Sequence, residues 1–359
     1  MNAAHVKNVP GRKTDKADAR WLAKLMRYGL LQASFIPPEG QRDLRDLTRY
    51  RTKLVQERAR EVNRVQGVRE RANIKLASVV SDIMGVSGRA MIEALRAGKA
   101  DPAAMAALAK RRMWSKLLLL EQALTGIVRD HHRQLFAMQL AHMDFLDDQI
   151  EALSAAIQTW LGTLSTTEVS PSPAPGLPED QRQQAADVPQ PLTFTQAVEL
   201  LDTILGVDQR GAAMLVAEIG RDMTRFGTAP RLAAWAGVAP GNDESAGKQR
   251  SGRTRQGNQT LRAGFTQLAH AAVHTKETYL AAFYRRLAAR RGKKRAIRAV
   301  AHSSMVSAFY MRARNEPSRE LGANYFDERR RHSTVGRLAS RLERLGYRVH
   351  LEPVAATAA

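Results

Sequence analysis

Residues 236–262 read AGVAPGNDESAGKQRSGRTRQGNQTLR, a run in which glycines, hydroxyls and cations interrupt the apolar periodicity found on either side. Pro240, Gly241 and Asn242 stop any helix that precedes them, and Gly257-Asn258 announces a turn before the next. The stretch between is expected as an exposed loop joining two helices, in a fold of mainly α class. Five cations lie along it: Lys248, Arg250, Arg253, Arg255 and Arg262. Ser245 and Ser251 stand among them, with no acid or histidine base at triad spacing. Cations attract a polyanion and glycines let backbone N–H groups approach it, so the loop suits a phosphate backbone. An ordinary solvated basic loop is the competing reading.

The composition bears on that choice. The chain has 359 residues, 44% of them hydrophobic, enough for two domains and a sizeable core. Its formal charge is +21 and its pI about 10.8. So large an excess repels itself in a compact monomer, and a polyanionic partner is the economical explanation. Nucleic acid fits better than a membrane, because no apolar run approaches the roughly 20 residues that span a bilayer. The absence of cysteine excludes disulfides, thiolate metal sites and thiol nucleophiles. The N-terminus, MNAAHVKNVPGRK, lacks the apolar core of a signal peptide, so the expectation is a soluble protein of the cytoplasm.

Downstream of the loop, TYLAAFYRRLAARRGKKRAIRAVAHS carries the densest positive patch, including Arg291, Lys293, Lys294 and Arg295 with no acid between them. Sign and density together favour nucleic-acid contact over a merely solvated face. Upstream, AVELLDTILGVDQRGAAMLVAEIG reads as two helices joined by a tight turn at Gly206, the pattern of a helix-hairpin-helix that presents N–H groups to phosphate. A merely structural helical corner fits the same residues. Between Ser165 and Pro191 six prolines with Ser, Thr and Gln mark an extended, mobile linker.

Residues 41–164 read as a helical, coiled-coil region. Leu44, Leu47, Leu54, Val62, Val65 and Val68 recur at helical spacing, interrupted by Arg51 and Arg58. A second seam runs through Leu146, Ile150, Leu153, Ile157 and Trp160. Near the start, Thr14 is positioned to cap a helix from about Asp15, with Asp15 and Asp18 on one face. Such a pair is either a set of helix-start charges favoured by the macrodipole or half of a metal site, and spacing alone favours the former.

The pieces AAMLVAEIGRDMTRF (212–226), LAAWAGVAPGNDESAGKQRSGRTRQGNQTLR (232–262) and TYLAAFYRRLAARRGKKRAIRAVAHS (278–303) resemble the C-terminal transposase domain of the insertion-sequence 110 family. The resemblance implies Ser245 as the nucleophile on DNA. KTDKADA (13–19) is similar to the segment supplying the last two acidic residues of that family's RuvC-like tetrad, which implies Asp15 and Asp18 as Mg²⁺ ligands. Partners implied are DNA, a structured guide RNA and further copies of the chain, as a dimer or tetramer. Leu205 stands where the family usually has proline. No acid precedes Asp15, so the expectation is an N-terminally truncated RuvC-like (RNase H-type) remnant over 1–40 lacking two metal ligands. A helical region over 41–164, the linker 165–191 and a C-terminal transposase domain over 192–359 would follow.

Three functions compete at this stage. One is a DNA transposase or recombinase working through Ser245. The second is a catalytically incomplete, nucleic-acid-binding remnant of such an enzyme. The third is a packaging protein, which explains neither the glycine-serine loop nor the paired aspartates.

Overall fold

The structure, a computed structural model, describes residues 15–30, 36–99, 101–167, 192–241, 243–245, 248–252, 254 and 256–351. It divides into two units, 1–43 and 44–359. The first contains α1 (Asp15–Arg27), which begins at the residue the capping pattern predicts, and the first residues of α2 (Glu39–Arg71). Thr14 itself lies outside the described residues, as do 168–191, most of the proline-rich segment. No strand lies among the described residues before Asp243.

In the second unit α2 runs antiparallel to α6 (Asp130–Thr167). The two arginines that break the apolar seam of α2 are what ties it to α6. Arg51 Nε donates to Ser154 Oγ at 2.7 Å, and Arg58 forms an ion pair with Asp147. Farther along α2, Glu61 lies 3.5 Å from His142 Nδ1. An arginine that would be costly in a wholly apolar seam is tolerated here because its head group meets a polar partner across the pair.

Two cores form around this pair. The C-terminal half of α2 (Val65, Val68) and the N-terminal half of α6 (Phe136, Leu140, Met143) share one core with α3 (Val86–Arg96), α4 (Pro102–Ala106) and α5 (Leu117–Leu124). Leu44 at the other end of α2 and Ile157, Leu161 and Leu164 of α6 enter a second core with Phe194 to Met311. The expected boundary between 41–164 and 192–359 does not coincide with this division, since the second core draws on both sides of it. Residues 165–167, expected as linker, continue α6, and Ser165 Oγ contacts Thr195 Oγ1 at 2.8 Å.

Several helices of the second core start at a side-chain cap. Thr193 and Gln196 form a capping box at the start of α7 (Phe194–Asp202), and Asp208 accepts from the Gly211 N–H at the start of α8 (Gln209–Ile219). After α9 (Ala229–Ala236), Gly237 takes the left-handed conformation that closes a helix. Then come α10 (Gln259–His274), α11 (Tyr279–Arg291), α12 (Lys293–Arg314), α13 (Tyr325–Arg329) and α14 (Arg331–Arg344).

The expected loop between α9 and α10 contains a two-stranded antiparallel hairpin, β1 (Asp243–Ser245) and β2 (Lys248–Ser251). Ser245 pairs with Lys248 and Asp243 with Ser251, and Glu244 with Gln249, so Arg250 is the extra residue of a bulge in β2. Seven polar residues carry neither alternation nor β-branching, which is why the strands left no trace in the sequence pattern.

Candidate nucleic-acid interface

The segment that follows the hairpin is tied to a buried carboxylate. Glu218, in the last turn of α8, is 0% exposed, and its oxygens are held by two guanidiniums and an amide. Arg49 of α2 grips them with Nε at 2.6 Å and Nη2 at 2.9 Å, and Arg45 Nε approaches to 3.4 Å. Arg45 also donates to the Glu218 backbone carbonyl at 2.8 Å. The remaining partner is Asn258, whose Nδ2 donates to Glu218 Oε2 at 2.6 Å. The same side chain caps α10 by accepting from the Leu261 N–H, and the Asn258 backbone N–H donates to the Trp235 carbonyl. One asparagine therefore starts α10 and fastens its first turn both to the carboxylate and to the end of α9.

The environment of this anchor is strongly positive. The hydrogen bonds to Glu218 raise the Arg49 pKa, whereas burial lowers that of Arg45. Burial pushes Arg225 down to about 10 and Arg312 down to about 9, with Asp222 offsetting part of the effect. More guanidinium than carboxylate gathers here, a field that favours an anion nearby.

Gly257 must be glycine for a steric reason. A Cβ there would lie 2.4 Å from the Gly237 nitrogen and 2.5 Å from the Trp235 oxygen, both backbone. Gly257→Ala should therefore destabilise the protein by about 1–3 kcal/mol, as overpacking against unyielding backbone does. Chemical denaturation checks this. An unchanged midpoint would mean that the turn into α10 shifts freely.

The site residues expected from the sequence fall into three groups. Ser245, Lys248 and Arg250 lie on the hairpin, Arg262 is partly exposed in the first turn of α10, and Arg253 and Arg255 fall outside the described residues. Gly206 has φ +84°, and a Cβ on it would meet the Ala272 nitrogen at 2.5 Å, so close packing of the turn on α10 by itself requires glycine. Asp15 and Asp18 lie on α1, in the first unit, with Asp18 exposed. Among the described residues no three His, Asp or Glu gather as a metal site. One or two carboxylates, with water and phosphate oxygens completing the shell, are an ordinary way to hold Mg²⁺, so an aspartate pair is chemically suited to part of such a site.

Arg291, Lys293, Lys294 and Arg295 are all exposed at the turn from α11 to α12. Three of them occupy the first turn of α12, where the macrodipole is already positive and no side chain caps the helix. Cations at that end oppose helix stability, and phosphate would relieve the repulsion. Replacing all four by Ala is expected to weaken nucleic-acid binding and flatten its salt dependence by up to about four units of log–log slope, about one for each phosphate no longer neutralised. The melting temperature should hold or rise. Unchanged affinity and slope would reduce the patch to a solvated surface.

Glu218 escaped the sequence reading, and Asn258 entered it only as a turn signal. Glu218 sits in an otherwise apolar run, AAMLVAEIG, and that isolation was the available signal, since a lone acid on a buried helix face needs a partner.

Comparison with known families bears on what this arrangement does. Residues 198–285, which include α8, the hairpin and most of α11, match the model of the transposase IS116/IS110/IS902 family. Residues 1–73, which include α1 and α2, match a second transposase model, that of the IS110 DEDD type. Both matches are to IS110-family transposases. They support an insertion-sequence transposase, with DNA as the partner that this family implies and a generally metal-dependent chemistry. No curated protein matches the chain. Among the described residues no helix is long and apolar enough to cross a membrane.

Proposed function

We propose that the chain is an IS110-family transposase that cleaves and joins DNA with Ser245 as nucleophile. The hairpin carries this reading. Its β1 ends at Ser245, paired with Lys248. Strand pairing restricts the backbone that carries the hydroxyl, and a restricted position is what an attacking group needs.

In the reaction the Ser245 oxygen bonds to a DNA phosphorus as one phosphate ester breaks and the sugar hydroxyl leaves. Lys248, Arg250, Arg253, Arg255 and Arg262 would stabilise charge on the phosphate oxygens. Arg291, Lys293, Lys294, Arg295 and the Gly206 turn would hold flanking backbone. Asp15 and Asp18 would contribute to a Mg²⁺ site completed by other carboxylates. A structured guide RNA as selector of DNA sites, assembly of several copies, and action in the cytoplasm belong to the same reading.

The test is a covalent adduct. The chain is incubated with a nicked substrate whose leaving strand diffuses away, and the adduct is mapped by mass spectrometry. A nucleotide on Ser245 is the expected result. An adduct on another residue overturns the assignment, and DNA binding with no adduct favours the second reading, a nucleic-acid-binding remnant.

A further inference from the structure

A separate pocket of about 390 Å³ lies where α11 meets α13, within the range of roughly 300–1,000 Å³ typical of small-ligand sites. Its floor is aromatic. Phe283 and Phe326 lie nearly parallel, 5.9 Å apart at 17°, and Tyr279 continues the stack 5.1 Å from Phe326 at 18°. Both phenylalanines are half-buried and both line the cavity, so ring surface is open to it.

Four guanidiniums line the same cavity. Arg286 lies 5.0 Å over the Phe326 ring and 3.6 Å from Asp327. Arg290, Arg329 and Arg330 are exposed and form no salt bridge among the described residues. Packing of α13 on α11 accounts for an aromatic contact, but it does not call for three unpaired arginines around it. Stacked π-faces ringed by cations are the chemistry that binds an unstacked base together with its phosphates.

We propose that this pocket takes an unpaired base of a single-stranded nucleic acid, stacked on Phe283 and Phe326, with adjoining phosphates held by Arg290, Arg329 and Arg330. A base within a duplex has both faces covered by its neighbours and cannot enter. The strand can be RNA or DNA, since the stacking face and the phosphate are common to both. The inference rests on nucleic acid being the partner, as above, and is independent of Ser245.

Fluorescence anisotropy of the full chain with short labelled oligo(U), oligo(dT) and a duplex of equal length tests it. Phe326→Leu keeps an apolar side chain against α11 but removes the stacking face. It should weaken single-strand binding roughly tenfold and leave duplex binding within about twofold. Arg329→Ala with Arg330→Ala should do the same. Phe326→Trp should retain single-strand affinity, and its added emission, read against the parent protein, should be quenched by single strands and not by duplex. That variant keeps the question open to experiment if Phe326→Leu fails to fold. Loss confined to oligo(U) assigns the pocket to RNA, loss confined to oligo(dT) to DNA, and loss on both to either strand. Unchanged affinity without quenching overturns the proposal, as does an equal loss on duplex. A Ser245→Ala protein that still joins DNA would overturn the functional reading above and leave this pocket untouched.

Discussion

Ser245→Ala is expected to reduce DNA joining by at least about a thousandfold while leaving DNA binding within about twofold. The substitution deletes one oxygen, and that oxygen is the atom proposed to bond phosphorus. Neither the strand pairing of β1 nor the Glu218 network depends on it, because pairing uses backbone groups and that network joins Arg45, Arg49 and Asn258. Ser251 supplies the control. It lies at the opposite end of the same hairpin, paired with Asp243, whereas Ser245 is paired with Lys248 beside the connecting residues. A hydroxyl at 251 and one at 245 cannot both occupy one attack position, so Ser251→Ala should retain most activity. Joining assayed alongside gel-shift binding distinguishes the outcomes. Activity that survives in Ser245→Ala, or that falls equally in Ser251→Ala, removes Ser245 from the reaction.

Glu218→Ala should cost about 3 kcal/mol of stability, a large share of what a domain of ordinary stability has. The carboxylate is 0% exposed and compensates two guanidiniums, Arg45 with a side chain 16% exposed and Arg49 with one 40% exposed. Removing it leaves Arg45 buried without its counterion and deprives Asn258 of an acceptor. Arg49 can turn toward water, which keeps the loss near the lower end of the range for broken buried pairs. Denaturant unfolding of Glu218→Ala, Arg49→Ala and the double variant measures the coupling. The double variant should lose less than the sum of the two single losses. Strict additivity would mean that the ion pair contributes nothing of its own.

The helices were legible and the hairpin was not, for one physical reason. Helical periodicity is written in side chains that pack, and Leu44, Val65, Val68 and Ile157 occupy cores where the spacing places them. The residues of β1 and β2 are polar, without alternation or β-branching, so nothing in their chemistry announces a strand. Arg51 and Arg58 were legible as interruptions but not as contacts, because their partners, Ser154 and Asp147, lie on another helix at a separation that pattern reading does not span. The candidate site was legible in part. Ser245 and the cations stand out by type, whereas the link from Glu218 to Asn258 becomes visible only once α2, α8 and α10 are brought together.

The meeting of Ser165 with Thr195 has a consequence for the chain as a physical object. The described residues on either side of positions 168–191 meet there, and the core they enter is common property. Leu44, Ile157 and Leu161 pack with Leu201, Val216 and Phe309, and Arg49 is bound to Glu218. Covalent continuity through that segment is thus not what holds the two stretches together. A polypeptide severed there would remain one particle, its halves separating on a denaturing gel and travelling together in every buffer that keeps the core intact.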